Sequence, residues 1–312
     1  MRIIQPCGPS HRDDGACLYL KKYFNMMKGV TCERKSMFEK QETWGDYDAI
    51  VYVDWGQDNF LHLPGVEIPR DVPSLCWQSD THWTPAAKDY RFTQSKMFSI
   101  AAMCQKKAQV EFGGKAVWLP HAADHLIYHP PIYTTSQPHG WPPVEDEGDP
   151  KAMFSIKTNE VTPVWDLCFV GHIGDPGRTD TLDRMFSAIP NFNFEPGVFF
   201  EDAARIFHQS ALVFNHSVRG ELNMRTFESL ASRSCLLTDR QEGMDTLGLN
   251  HLEHALIYES VDHAIELAKE WIDPSKRVAR REMAERGWRW VLGGHTYWHR
   301  ARTILDLLNL KV

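Results

Sequence analysis

Short strand-like runs alternate with helical patterns along almost the whole of this 312-residue chain. Segments such as Asp48–Asp54 and Ser74–Ser79 have the length and apolar content of buried strands. Strands that alternate with helices form parallel sheets, because a crossover helix must return the chain to the edge where the next strand begins. The sequence therefore predicts an α/β protein.

The alternation runs through two consecutive rounds. In the first round a strand at Arg2–Cys7 precedes a glycine-containing loop and then a helix with apolar residues from Leu18 to Met27. We also expect a long helix around Ser95–Phe112, followed by a strand at Lys115–Leu119. The pattern predicts one parallel sheet for this half of the chain.

The second round repeats this order after residue 163. Helices are expected at about Asp180–Ile189 and Asn223–Arg233, and the last residues are helical as far as Leu310. The expected strands are Val164–Gly171, Ala211–Asn215, Cys235–Asp239 and Ala255–Tyr258. Ligands of parallel sheets bind beyond the carboxyl ends of the strands, so the loops after these strands are the places to search for a site.

Residues His129–Pro163 separate the two rounds. Seven prolines recur in this stretch, interleaved with the acidic run Glu145-Asp146-Glu147. Proline lacks the backbone donor that helices and central strands need, so the stretch predicts an interdomain connection or a long surface loop.

The amino-acid composition indicates which classes of partner the protein can bind. Apolar residues make up 43% of the chain and its net charge is −7, so a sizeable core is expected, whereas a nucleic-acid or membrane surface is disfavoured. The seven cysteines are scattered without a C-x-x-C pair, which is typical of reduced thiols. With no apolar signal segment or membrane span in the sequence, we predict a cytoplasmic protein.

The most informative stretch is Leu212–Ala231, where a buried strand runs into a polar loop and the loop opens a helix. Unpaired N–H groups in the first turn of a helix favour a phosphate. Arg219 and Arg225 can add charge-assisted hydrogen bonds, and Glu228 lies on the same helix face to accept hydrogen bonds from a ribose. The alternative is an amphipathic helix on which Arg225 and Glu228 merely pair at the surface.

Two further loops in the first half carry polar residues. Asp80 and His82 follow the strand Ser74–Ser79, where either can deprotonate an acceptor hydroxyl or bind a sugar. Alternatively, Asp80 caps the next turn and His82 is a surface residue. The loop His11–Gly15 can bring helix N-terminal amides to a phosphate, or can be a simple helix cap.

Metal and nucleic-acid sites are disfavoured. The histidine pairs His121/His125 and His295/His299 have i,i+4 spacing, but neither lies in an H-E-x-x-H motif. Helix termini and arginines can neutralise a diphosphate, so we predict that no metal is required. The basic stretch Lys276–Arg281 alternates with acidic and apolar residues, which favours a solvated helix face over a nucleic-acid patch.

From Trp165 onward the sequence resembles the CgeB-like (spore maturation protein) glycosyltransferases, relatives of the large retaining GT-B group. A segment of the first half is similar too, and all the matching pieces occur in the expected order. They are Trp118–Asp124, Asp166–Gly171, Asn223–Glu228, Leu236–Asp239 with Glu242-Gly243, and His295–Tyr297 with Arg300.

The resemblance implies a GT-B-like fold, with two Rossmann-like lobes whose parallel sheets face a central cleft. It implies a hexosyl- or pentosyltransferase that uses a nucleoside diphosphate sugar, retains anomeric configuration and needs no other cofactor. The lobes predicted are an acceptor-side lobe at 1–128, a connection at 129–163, a donor-nucleotide lobe at 164–294, and a last helix at 295–312 packing back on the first lobe.

The resemblance and the residues together give one set of candidates. Asp80 and His82 are the catalytic candidates, while Glu228 is expected on the ribose. The donor-binding candidates, mostly expected near the diphosphate, are Gly15, Gly171, His172, Gly174, Arg178, Asn215, His216, Arg219, Asn223, Met224, Arg225 and Glu228. The acceptor is open among small molecules, polymers, proteins and modified DNA.

Two positions depart from the family pattern. Related families often carry two glutamates eight residues apart, but Gly220 stands eight residues before Glu228. Arg233-Ser234 also replaces a small residue and a glycine. The first departure keeps open a non-catalytic nucleotide-sugar-binding protein; a nucleotide-sugar epimerase is disfavoured because no acid/base pair for it is evident.

Overall fold

The structure is a computed structural model that describes residues 1–7, 15–36, 41–54, 68–79, 85–114, 116–131, 149–155, 161–173 and 176–311. Its elements form two units: a first unit of Met1–His121 with Tyr297–Val312, and a second unit of Ala122–Thr296. Each unit contains one sheet, and every strand pair in both sheets is parallel. The predicted class, two parallel α/β halves, is confirmed.

Among its described residues, the first unit contains six strands and four α-helices. The strands are β1 (Arg2–Cys7), β2 (Thr31–Ser36), β3 (Ala49–Asp54), β4 (Ser74–Gln78), β5 (Ile100–Met103) and β6 (Val117–Trp118). The helices are α1 (Ala16–Met26), α2 (Pro85–Ser95), α3 (Lys106–Phe112) and, from the end of the chain, α10 (Tyr297–Leu307). The strand order is β2-β1-β3-β4-β5-β6.

Helix α10 packs on α1, although almost three hundred residues separate them in the chain. The rings of Tyr19 and Tyr297 meet with their centroids 4.8 Å apart. Buried Arg300 donates hydrogen bonds to the carbonyl oxygens of Pro120 and His121, at 2.7 and 3.0 Å. This guanidinium fixes the last helix to the segment that follows β6.

The long helix expected around Ser95–Phe112 is wrong. Helix α2 ends at Ser95, and Ile100–Met103 forms strand β5, which pairs with β4 and β6. Ala101, Ala102 and Met103 favour a helix by intrinsic propensity, but their burial between two strands overrides that preference. Only the last part of the predicted segment, α3, is helical.

The second unit contains five strands and six helices among its described residues. The strands are β7 (Trp165–Val170), β8 (Phe192–Glu195), β9 (Ser210–Asn215), β10 (Leu236–Asp239) and β11 (Leu256–Tyr258). The helices are α4 (Pro176–Ala188), α5 (Phe200–His208), α6 (Met224–Ala231), α7 (Met244–Leu247), α8 (Val261–Ile272) and α9 (Arg277–Gly294). The strand order is β11-β10-β9-β7-β8.

The core of this unit lies between the sheet and its helices, and α9 approaches α6 unusually closely. A Cβ added to Gly287 of α9 would lie 2.6 Å from Leu230 Cδ2 and 2.8 Å from the His254 carbonyl oxygen. Only glycine allows α9 to lie this close to the back of α6. Among the described helices of both units, none is long and apolar enough to cross a membrane.

Candidate functional site

The strand order of the second unit locates the site. The chain passes from β7 to β8 on one side and then returns to form β9 on the other side of β7. At such a switch point the loops after the two neighbouring strands diverge, which leaves a crevice beyond their carboxyl ends. Gly171 follows β7, and the loop that leads to α6 follows β9.

Gly171 keeps the backbone after β7 close to α6. Its φ of 151° is a conformation that glycine adopts readily and L-residues rarely adopt. A Cβ at this position would lie 3.5 Å from the Phe169 ring and 3.8 Å from Arg225 Nη2. The backbone after β7 and the guanidinium of α6 are therefore immediate neighbours.

The start of α6 is held by side-chain amides. Asn223 caps the helix, because its Oδ1 accepts a hydrogen bond from the Thr226 backbone N–H at 3.2 Å. Buried Asn215 at the end of β9 donates to Asn223 Oδ1 at 3.2 Å and to Thr238 Oγ1 at 3.0 Å. These contacts make the two asparagines supports that fix the helix N-terminus beside the crevice.

Arg225 and Glu228 lie on the crevice side of α6 and pair with each other. Arg225 Nε is 3.4 Å from Glu228 Oε2, and the side chains are 18% and 7% exposed, so the pair is buried and not the surface pair weighed above. Buried Nε and Nη1 of Arg225 have no hydrogen-bond partner within the described part of the chain. Buried guanidinium donors without partners are costly, so this arginine is suited to an anionic ligand.

Tyr128, which the sequence motifs did not indicate, supports this pair. Its hydroxyl hydrogen-bonds Glu228, and burial raises the pKa of the phenol well above its usual value. The Tyr128 ring stacks on Phe207 at 6.3 Å, while the Arg225 guanidinium lies 5.4 Å from the same ring. Phe207 therefore fixes both partners of Glu228 in place.

The segment that contains Arg225 and Glu228 is similar to a known family. Residues 165–306 match the sequence model of a family described as glycosyl transferase-like. The match covers a little less than half of the chain. No curated protein matches the chain by sequence.

Solved structures with the same fold extend over the whole chain and belong to GT-B glycosyltransferases. Sucrose-phosphate synthase from Thermosynechococcus elongatus superposes with a TM-score of 0.63 at 8% identity, covering 99% of this chain and 98% of that one. HepE from Anabaena, solved with UDP and glucose, gives 0.62 at 13% identity, covering 99% of both chains. A glycosyltransferase from Rickettsia africae gives 0.60 at 9% identity, covering 99% and 97%. At these identities the likeness establishes the GT-B fold.

A second polar group of the second unit lies at the end of β11. His216 Nδ1 and the Tyr258 hydroxyl oxygen are 2.7 Å apart, and that hydroxyl donates to the Asn215 carbonyl oxygen at 3.1 Å. Burial raises the pKa of Tyr258, the Asp239 carboxylate raises it further, and Arg178 opposes the shift. Tyr258 thus connects the end of its own strand to the loop after β9.

The loop after β9 is held to the end of β10. Ser217 donates its backbone N–H to Asp239 Oδ1 at 2.9 Å and its hydroxyl to Oδ2. Buried Gln241 donates to Thr238 Oγ1 at 2.9 Å and accepts from the Thr226 hydroxyl at 2.8 Å. The sequence interpretation missed these residues, although the position of Asp239 at a strand's carboxyl end was the signal that indicates them.

The remaining cationic candidates differ in their surroundings. Arg178 lies in the first turn of α4, where its Nη1 donates to the His172 carbonyl oxygen at 2.8 Å. This bond holds the loop after Gly171, and His172 itself is exposed. Arg219 is also exposed, with a left-handed φ of 58°.

Gly220 follows in the same loop, at the position where related families carry a glutamate. Its φ of 74° is left-handed, and its carbonyl oxygen accepts from the Glu242 N–H at 2.8 Å. The loop therefore has a backbone turn at this position and no carboxylate.

Several candidates stand apart from this group. Asp80, His82 and Gly174 lie outside the described residues, so their roles stay predictions. Gly15 precedes α1 in the first unit as its N-cap residue. Met224 is the first residue of α6 and is half-buried. Within the described ranges, no three His, Cys, Asp or Glu side chains cluster closely enough to hold a metal ion.

Proposed function

We propose that this protein transfers a sugar from a nucleoside diphosphate sugar to an acceptor hydroxyl, with retention at the anomeric carbon and without a metal ion. We also propose the CgeB-like group as its nearer relatives, on the motifs Asp166–Gly171 and Asn223–Glu228. The observation that carries the proposal is Arg225, a buried guanidinium with unpartnered donors beside Gly171 at the switch point of the sheet.

A departing diphosphate needs positive charge, and the second unit supplies it from two sources. The first turn of α6 presents backbone N–H groups and the positive end of the helix dipole. Arg225 adds a guanidinium, and Arg178 in the first turn of α4 and Arg219 in the loop after β9 are further cationic candidates. Because these groups are fixed before the reaction, they stabilise the leaving group without reorganisation.

Glu228 is proposed to bind the ribose. A carboxylate offers about four acceptor positions, and the Tyr128 hydroxyl hydrogen-bonds to this one. Such a group can also accept hydrogen bonds from the two hydroxyls of a ribose. Tyr128 then acts as a positioning residue that orients the carboxylate.

The proposed reaction does not need a basic side chain of the protein. The bond between the anomeric carbon and the diphosphate oxygen breaks, and a bond from that carbon to the acceptor oxygen forms. The acceptor's proton moves to the departing diphosphate, so the reaction yields the glycoside and a nucleoside diphosphate. Asp80 and His82 are proposed to position the acceptor or the sugar.

The cysteines support a reducing compartment, which we propose to be the cytoplasm. All seven are free thiols, and six of them are buried. Burial raises the pKa of the Cys17 thiol to about 11 and that of Cys168 to about 12, so both are protonated and unreactive at neutral pH.

The test is to incubate the purified protein with UDP-, GDP- and ADP-glucose and to measure the free nucleoside diphosphate. UDP-glucose is the first donor to test because Anabaena HepE is solved in complex with it. We expect slow hydrolysis of one donor and a roughly tenfold or greater loss of affinity in Glu228→Ala, since hydrogen bonds to a charged group contribute about 1.5–3 kcal/mol. Tight binding without turnover would support the binding-protein alternative. Unchanged donor affinity in Glu228→Ala would remove the site assignment.

A further inference from the structure

The second unit has a cavity at the opposite edge of its sheet, where the strands begin. It has a volume of about 540 Å³ and lies beside Ser210 at the start of β9 and Cys235 immediately before β10. The last residues of α5 and the residues just after α6 form one side, and the first turns of α9 form another. We propose that this cavity binds a small organic phosphate.

Charge is the first argument. Arg233, Arg277, Arg280 and Arg281 line the cavity, whereas none of its described lining residues is acidic. The last three lie on one face of α9, because residues three and four positions apart are neighbours on a helix surface. The positive end of the α9 dipole adds to their field. An anion is therefore the ligand that this lining favours.

The burial of Arg280 corrects the sequence interpretation of a solvated helix face. Arg280 is buried and donates to the carbonyl oxygens of Trp271 and Asp273, at the end of α8. Arg233 pairs with Glu285, with Nε and Oε2 2.6 Å apart. These two arginines have structural roles, while Arg277 and Arg281 are exposed and line the cavity from its solvent side.

The second argument is independent of charge. Ser232 is among the lining residues and is 1% exposed, and its Oγ has no hydrogen-bond partner among the described residues. A buried hydroxyl without a partner is costly, so the site is incomplete without a ligand or water. Nε2 of His208, which also lines the cavity, is buried without a partner in the same described part of the chain.

The volume of the cavity and its lining residues indicate what the ligand contains besides a phosphate group. A volume of about 540 Å³ falls within the roughly 300–1,000 Å³ of small-molecule sites and far exceeds a bare inorganic ion. Pro130, Pro131 and Phe207 form an apolar wall, and the hydroxyl-bearing Ser210 and Ser234 lie among the lining residues. Guanidinium groups, hydroxyls and an apolar wall together fit a phosphorylated sugar or a mononucleotide.

The inference does not depend on the proposed transferase activity, and calorimetry tests it. The whole protein is titrated with inorganic phosphate, glucose 6-phosphate and AMP. We expect one of the organic phosphates to bind more tightly than inorganic phosphate. The double variant Arg277→Gln/Arg281→Gln should weaken that binding at least about tenfold, equivalent to about 1.4 kcal/mol. Both side chains are exposed, so the variant keeps its fold.

A matched variant locates the bound probe. Arg205→Gln removes an exposed arginine of α5 whose partner is Asp202, and it should leave the affinity within about twofold of the wild type. The proposal is overturned if no organic phosphate binds, if inorganic phosphate binds equally well, or if the double variant Arg277→Gln/Arg281→Gln binds the organic phosphate as tightly as the wild type.

Discussion

The two edges of the sheet in the second unit are built by different means. At the carboxyl edge, polar side chains from two strands and the start of α6 are connected to one another, and two donors of Arg225 have no hydrogen-bond partner among the described residues. At the amino edge, four arginines and a buried serine surround a cavity. Strand topology prescribes a crevice at the first edge. No such rule applies to the second, where helices distant in sequence supply the residues.

The largest effect that separates the two edges is expected for Arg225→Ala. It should weaken UDP binding by about 10- to 150-fold, because charge-assisted hydrogen bonds are worth about 1.5–3 kcal/mol. It should also lower the free energy of unfolding by about 3 kcal/mol, since Glu228 stays buried without its cation. Calorimetry and urea unfolding measure the two quantities. Equal UDP affinity in Arg225→Ala and in the control Arg205→Ala would contradict the assignment.

A substitution in α9, where this helix packs on the back of α6, should destabilise the second unit. Gly287→Ala places a methyl group 2.6 Å from Leu230 Cδ2, so α9 must move away from α6. We expect a loss of about 1–3 kcal/mol in the free energy of unfolding.

Gly293→Ala is the matched control in the same helix, where an added Cβ has no atom within 4 Å. It should stabilise the protein by about 0.5–1 kcal/mol, because alanine loses less backbone entropy than glycine. If both variants shift the urea midpoint in the same direction, then the close contact between α9 and α6 does not explain the glycine at position 287.

A smaller effect belongs to His208 at the amino edge. Burial lowers its pKa to about 4, against an ordinary value of 6.5. Between those pH values the unfolded chain binds a proton that the folded chain does not. The free energy of unfolding should therefore fall as pH is lowered from 6.5 to 4, by up to about 1.4 kcal/mol per pH unit.

His208→Gln should flatten this dependence, and urea unfolding at pH 7.5 and pH 4.5 measures the change. The exposed His172 provides a matched control, since His172→Gln should leave the slope as it is in the wild type. A wild-type slope in His208→Gln would show that this imidazole is not the buried titrating group.

The sequence predicted the carboxyl edge far better than the amino edge. A buried strand, a polar loop and a helix start were enough to bring Gly171, Asn223 and Arg225 together, because strand ends and helix starts are local signals. Tyr128 and Tyr258 escaped prediction because they reach Glu228 and His216 through tertiary packing.

The amino edge was misjudged for a related reason. The pattern around Arg280 has the alternating charges of a solvated helix, and only the carbonyl groups at the end of α8 explain its burial. In the first unit, the alanine-rich segment of β5 misled in the same way. Local propensity favours a helix there, but the segment forms a strand because it pairs with β4 and β6.

The passage of the chain between the units has a consequence for biosynthesis. Residues Tyr297–Val312 complete a unit whose other residues end at His121, so the partner for the apolar face of α1 is made only after the whole second unit. Domains usually fold in order as they leave the ribosome. Here the first unit must wait for Tyr297–Val312, while the second unit, encoded before them, is already complete. A stop codon just before Tyr297 would therefore damage the beginning of the protein more than its middle.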